Sequence, residues 1–97
     1  MSGREILLVL HPNRPEAKVV AAEIVSALSK DGIRFISTID SGIAGVDHIS
    51  KEDLATKLPK IELTLVLGGD GTILRGAEQI HGTQIPVLGI NLGHVGF

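Results

Sequence analysis

Short aliphatic runs alternate along the chain with a stretch of helical periodicity. The run Glu5–Leu10 is almost continuously aliphatic, a pattern typical of a strand covered on both faces of a parallel sheet. Two prolines follow, and apolar residues recur at helical spacing over residues 16–30 before a second aliphatic run at residues 33–39. A strand, a helix and a strand in this order predict a right-handed crossover in a parallel sheet.

The remainder of the chain repeats this alternation after a weaker segment. Residues 40–60 carry glycine loop markers and a short helix that Ser50 would open, with Asp53 three positions later in a variant of the capping box. Beyond it, the pattern predicts a strand, a helix and a strand at residues 63–67, 72–81 and 86–90. We therefore predict the α/β fold class, with an open parallel sheet and flanking helices.

Composition and charge exclude several classes of function. The 97 residues form one domain at most, and with aromatics at 2% the core must be aliphatic. The chain has no cysteine, and its four histidines show no zinc-ligand spacing, so we expect no disulfide and no structural metal. A net charge of -2 without a basic stripe argues against nucleic acid. Because no bilayer-spanning run and no signal peptide are present, we expect a cytoplasmic protein without a membrane partner.

The third predicted strand ends abruptly in a glycine turn, Gly68, Gly69, Asp70, Gly71 and Thr72. Glycine lets a ligand approach the backbone closely, and ligands of parallel sheets bind beyond the carboxyl ends of the strands. The backbone amides of Gly69, Gly71 and Thr72 at a helix N-terminus would form a partly positive concavity suited to phosphate. The Thr72 hydroxyl would cap the helix or bind an oxyanion.

An aspartate beside phosphate groups needs a role, because like charges repel at short range. Asp70 would act as a general base that accepts the proton of a hydroxyl attacking a phosphoryl group, or it would hold Mg²⁺. Arg75, one turn into the helix, is placed to offset phosphate charge. The plain alternatives are that Asp70 belongs to an ordinary turn and that Arg75 is a solvated helix residue.

A second glycine-rich segment follows the fourth strand, with the sequence Gly-Ile-Asn-Leu-Gly-His-Val-Gly-Phe at residues 89–97. Taken with the Gly-Gly-Asp-Gly-Thr of residues 68–72, it closely resembles the N-terminal domain of NAD kinases. The first motif is shared with lipid kinases and phosphofructokinases, whereas the N-x-G-x-x-G-F pattern separates the NAD kinases from the lipid kinases. The resemblance implies a Rossmann-like sheet similar to the N-terminal domain of phosphofructokinases.

This resemblance implies a kinase that transfers the γ-phosphoryl group of ATP, or of polyphosphate, to the 2′-hydroxyl of the adenosine ribose of NAD, giving NADP. It implies that Asp70 accepts the hydroxyl proton and that Gly71 and Arg75 contact NAD. Leu74 and Phe97 would border the adenine. Mg²⁺ or another divalent cation would accompany ATP, and the enzyme would be a dimer or tetramer.

By the same resemblance, Gly68 and Gly69 shape the phosphate path and Asn91 shapes the second loop. The family also has a second, mostly β domain with an N-E or N-D motif that holds the ribose, and residues 1–97 lack it. We therefore expect residues 1–97 to be part of the N-terminal α/β domain of a two-domain enzyme, inactive alone. A diacylglycerol-type lipid kinase and a non-catalytic nucleotide-binding module remain as alternatives.

Overall fold

The computed structural model describes residues 4–11 and 14–92, and within them five parallel strands form one sheet in the order β3-β2-β1-β4-β5. The strands are β1 Glu5–Leu10, β2 Arg34–Ser37, β3 Val46–His48, β4 Ile61–Gly68 and β5 Val87–Asn91. The helices are α1 Pro15–Ser29, α2 Lys51–Lys57 and α3 Asp70–Gln79, with a 3₁₀ turn at Leu58–Lys60. The predicted α/β class with an open parallel sheet is confirmed.

Two hydrophobic cores cover the two faces of the sheet. Ile6 and Leu8 of β1 pack in one core with the buried face of α1, whereas Leu7 and Val9 pack in the other with residues of α2 and α3. Both sides of β1 are therefore buried, which explains why its sequence is aliphatic at nearly every position. The core uses a single aromatic residue, Phe35, among those described as buried hydrophobics.

The helices lie on the faces that the strand order requires. From β1 to β2 the chain moves toward one edge of the sheet through α1, and from β3 to β4 and β4 to β5 it moves toward the other edge. Crossover connections between parallel strands are right-handed. Because these connections run in opposite directions across the sheet, α1 must lie on one face and both α2 and α3 on the other. The residues of the two cores show this arrangement.

The short strand β3 was not predicted from the sequence. It has three residues, of which Val46 is half-buried and the other two are exposed, and it pairs only with β2 at the sheet edge. Neither an apolar run nor an alternation marks such a strand. The short helix that follows is as predicted, because the hydroxyl of Ser50 accepts a hydrogen bond from the Asp53 backbone amide at 3.0 Å.

The last helix begins earlier than the sequence predicted. We expected it at residues 72–81, but α3 spans Asp70–Gln79, and β4 extends through Gly68 instead of ending at Leu67. The glycines suggested a longer turn, whereas Gly69 alone, with extended backbone angles, joins the strand to the helix. No helix in the described part of the chain is long and apolar enough to cross a membrane.

Candidate functional site

The glycine turn lies where the chain reverses its direction across the sheet. Strand β1 has β2 on one side and β4 on the other, so the crevice between the carboxyl ends of β1 and β4 is the topological switch point. A cleft of about 480 Å³ opens there. Its lining residues come from the end of β1, the segment before α1 and the start of α3: Leu10, His11, Arg14, Gly69, Gly71, Thr72 and Arg75.

Asp70 is the first residue of α3, and its side chain is exposed at this edge. Its Oδ1 accepts a hydrogen bond from Nδ2 of Asn91 at 3.0 Å. Asn91 is the last residue of β5 and pairs in register with Gly68, and the amide of Leu92 donates to the Gly68 carbonyl at 2.9 Å. The sheet therefore brings Asn91, from the second motif, against Asp70, from the first.

Gly68 is required by close packing against the first turn of α3. A Cβ at this position would lie 2.6 Å from Oγ1 of Thr72, closer than real Cβ atoms approach other atoms. Thr72 is itself buried, and its amide donates to the Gly69 carbonyl at 3.1 Å. The predicted cap role of Thr72 is therefore wrong, because the helix begins two residues earlier and the N-cap is Gly69.

Gly69 and Gly71 differ from Gly68, because no contact with a described residue requires glycine there. No described atom lies within 4 Å of a Cβ built at either position, and neither residue has a positive φ. Their amides make no hydrogen bond to another described residue, whereas the Thr72 amide is used within the helix. Two of the three predicted phosphate-binding amides are thus available at the cleft.

Among the other predicted site residues, Arg75 lines the cleft and is exposed one turn into α3. Leu74 beside it is 62% exposed. Phe97, with the rest of residues 93–97, lies outside the described residues. In the described part of the chain no three or more His, Cys, Asp or Glu side chains come together in a way that could hold a metal ion.

The sequence predicted that His11 lies at this edge of the sheet but gave it no function, and it did not single out a second lining residue, Arg14. The His11 amide donates to the Leu67 carbonyl at 3.2 Å, which holds the segment after β1 beside the end of β4. Nη1 of Arg14 lies 3.3 Å from the carbonyl oxygen of Leu92 and 3.4 Å from Oε2 of Glu16. The position of His11 directly after β1 already predicts its place at this edge, whereas no local pattern in the sequence marks Arg14.

A separate ion pair lies at the opposite end of the strands. Nε of Arg4, the residue before β1, is 2.9 Å from Oε1 of Glu62 in β4. The hydrogen bond with Arg4 lowers the pKa of the Glu62 carboxyl, and the same bond raises the pKa of the Arg4 guanidinium. This pair is distant along both strands from the cleft.

The fold and the cleft define a doubly wound α/β domain in which one exposed carboxylate stands beside a helix N-terminus at the switch point. Such sites are suited to nucleotide phosphates. A family model described as the ATP-NAD kinase N-terminal domain matches residues 6–97, and the chain therefore belongs to the NAD kinase family. The predicted resemblance is confirmed, and the lipid kinase alternative is not favoured.

Individual relatives agree with this assignment. The chain is 40% identical over 101 residues to the NAD kinase of Bifidobacterium longum, a match covering 100% of this chain and 27% of that protein. It is 41% identical over 102 residues to the NAD kinase of Corynebacterium diphtheriae, covering 97% of this chain and 32% of that protein. The chain therefore spans about a quarter to a third of the length of these curated relatives.

A solved structure shares the fold. The crystal structure of yeast NADH kinase complexed with NADH superposes with a TM-score of 0.71 at 24% identity. The match covers 97% of this chain and 33% of that one. At this identity the likeness supports the parallel sheet and its helices.

Proposed function

We propose that the whole protein phosphorylates NAD. It transfers the γ-phosphoryl group of ATP, or a phosphoryl group of polyphosphate, to the 2′-hydroxyl of the adenosine ribose and releases NADP. Family membership supports this activity, as do the relatives named NAD kinase. The single observation that carries the assignment of the site is the position of Asp70, an exposed carboxylate at the switch point of the sheet.

Asp70 acts as the general base in this proposal. As the ribose 2′-oxygen forms its bond to the γ-phosphorus, the bond from that phosphorus to the bridging oxygen breaks, and the hydroxyl proton passes to the Asp70 carboxylate. ADP leaves with the electron pair of the broken bond.

The cleft supplies groups that would bind the phosphates. The amides of Gly69 and Gly71 lie at the positive end of α3, and Arg75 adds a guanidinium at the same cleft. Among the described residues nothing lies within 4 Å of a Cβ built at Gly69 or Gly71, so this part of the chain leaves room for a ligand to approach the backbone. Mg²⁺ enters this proposal with ATP, held mainly by its phosphate oxygens as part of the substrate.

The proposal extends to parts of the protein beyond the described residues. Residues 1–97 are part of the N-terminal α/β domain, and a second, mostly β domain completes the NAD pocket. Phe97 borders the adenine together with the exposed Leu74. The whole enzyme is a cytoplasmic dimer or tetramer that needs neither nucleic acid nor a membrane.

Product analysis of the whole protein tests this function. The protein is incubated with NAD and Mg-ATP, and NADP is measured with a dehydrogenase specific for NADP. A parallel reaction contains diacylglycerol vesicles and labelled ATP. We expect NADP and no labelled lipid. Labelled lipid without NADP would indicate the lipid kinase, and binding of NAD or ATP without turnover would indicate a non-catalytic module.

A further inference from the structure

We infer that Asn91 is a positioning residue for the reaction, because its side-chain amide holds the carboxylate of Asp70 in one orientation. The inference rests on the proposed function, in which Asp70 is the base. It assigns Asn91 a role different from shaping the second loop. The observation behind it is the 3.0 Å hydrogen bond from Nδ2 of Asn91 to Oδ1 of Asp70.

The position of Asn91 is fixed by the sheet. Its partner in the β4–β5 pairing is Gly68, two residues before Asp70, and the Leu92 amide continues the pairing with a 2.9 Å bond to the Gly68 carbonyl. The Asp70 backbone is fixed as well, because it begins α3. The hydrogen bond therefore joins two side chains whose backbones belong to rigid elements.

The chemistry of the two side chains fixes the direction of this bond. An ionised carboxylate only accepts hydrogen bonds, so the amide must turn its NH₂ group toward Asp70. Oδ1 is then engaged, while Oδ2 makes no hydrogen bond to a described residue. One oxygen anchors the carboxylate and the other is left to accept the ribose proton.

Without Asn91, an exposed aspartate at the start of a helix can adopt more than one staggered rotamer. A base must lie within hydrogen-bonding distance of the proton that it removes, and a misplacement of about 1 Å can cost roughly 10²-fold in rate. Restricting Asp70 to one orientation thus favours the reactive geometry. Both side chains are exposed, so the bond contributes little to folding stability.

A purely structural role for the bond makes different predictions from a positioning role. If the amide only stabilises the end of β5, its removal lowers stability and leaves the turnover of the folded enzyme unchanged. If it positions Asp70, its removal lowers kcat, leaves the KM for NAD nearly unchanged, and has no effect once the carboxylate is gone. A double-mutant cycle separates the two roles.

The test uses the whole protein with the variants Asn91→Ala, Asp70→Asn and their combination. We expect Asn91→Ala to lower kcat by roughly 10- to 100-fold, the range that misplaced catalytic groups produce. In the Asp70→Asn background, the same change should alter the residual kcat by less than about twofold. Asn91 acts through the Asp70 carboxylate in this proposal, so its removal should have little effect once that carboxylate is gone, whereas two independent effects on kcat would multiply. Leu88→Ala, an exposed change in the same strand, is the control and should leave kcat unchanged.

The isosteric variant Asn91→Asp keeps the shape of the side chain but replaces the donor with a second negative charge, so it should lower kcat at least as much as Asn91→Ala. The positioning role would be overturned if Asn91→Ala lowered kcat by the same factor in the wild-type and the Asp70→Asn backgrounds. It would also be overturned if both Asn91 variants kept a kcat within twofold of wild type. An unaffected kcat in Asp70→Asn alone would instead overturn the proposed base. The two failures are therefore distinguishable.

Discussion

The side-chain amide of Asn91 lies 3.0 Å from the carboxylate of Asp70, although the two residues are 21 positions apart. The contact forms because β4 and β5 are parallel neighbours and end at the same edge, with Gly68 paired to Asn91. The two glycine-rich motifs of the chain thus meet at the carboxyl ends of adjacent strands. This meeting gives the acidic residue of the turn a specific hydrogen-bond partner.

Substitution of Gly71 should separate binding from folding. A Cβ at this helical position meets no described atom within 4 Å, so Gly71→Ala should leave stability unchanged or raise it by up to about 1 kcal/mol. The methyl group would project into the space where we propose that the substrate approaches the backbone. We expect KM for NAD or ATP to rise while Tm stays the same or increases, and an unaffected KM for both would contradict this use of the glycine.

Gly76 in the same helix should behave in the opposite way. A Cβ there would lie 2.5 Å from Cγ2 of the buried Val66, so Gly76→Ala should destabilise the protein by roughly 1–3 kcal/mol through overpacking. Val66→Ala removes the clashing atom, and the double variant should be more stable than the sum of the two single effects predicts. Urea unfolding measures all three variants. Additive losses would show that the helix does not pack on β4 through this contact.

How far the sequence predicts this structure depends on how local each feature is. The bounds of β1 and the Ser50 cap follow from aliphatic runs and short-range spacing, and the structure confirms both. The strand β3 was missed because an edge strand with one half-buried residue has no hydrophobic pattern.

The candidate site divides in the same way. Asp70 and the glycines around it form one contiguous motif, so they could be selected from the sequence. Arg14 and the contact of Asn91 with Asp70 depend on which strands are neighbours, and local periodicity does not contain the sheet order.

Arg75 should contribute to substrate binding through its charge. It is exposed at the cleft, so Arg75→Ala should raise KM for NAD or ATP by roughly tenfold, the loss of about one charge-assisted hydrogen bond, with little change in Tm. Arg34→Ala is a matched control, because Arg34 is exposed at the amino end of β2. Steady-state kinetics compare the two variants. Equal increases in KM would show that substrate binding responds only to the net charge of the protein and not to the position of Arg75.

The ion pair of Arg4 and Glu62 should make stability depend on pH in the acidic range. Hydrogen bonding to Arg4 lowers the pKa of Glu62 in the folded chain below its ordinary value of 4.5. The stabilising contribution is therefore present above pH 4.5 and is lost as the pH falls through the folded-state pKa. We expect the Tm difference between wild type and Glu62→Gln to shrink in acid and in high salt, because both side chains are exposed. A difference that grew in acid would contradict this sign.

The turnover of Asp70→Asn in the whole protein tests the central claim most directly. The substitution keeps the size of the side chain and its place at the start of α3, but it removes the carboxylate that would accept the ribose proton. With NAD and Mg-ATP at saturation, we predict that kcat falls by roughly 10²- to 10⁴-fold, the usual contribution of a general base, while the variant keeps its Tm. A kcat within about threefold of wild type would contradict the account, because general-base catalysis typically contributes far more than that.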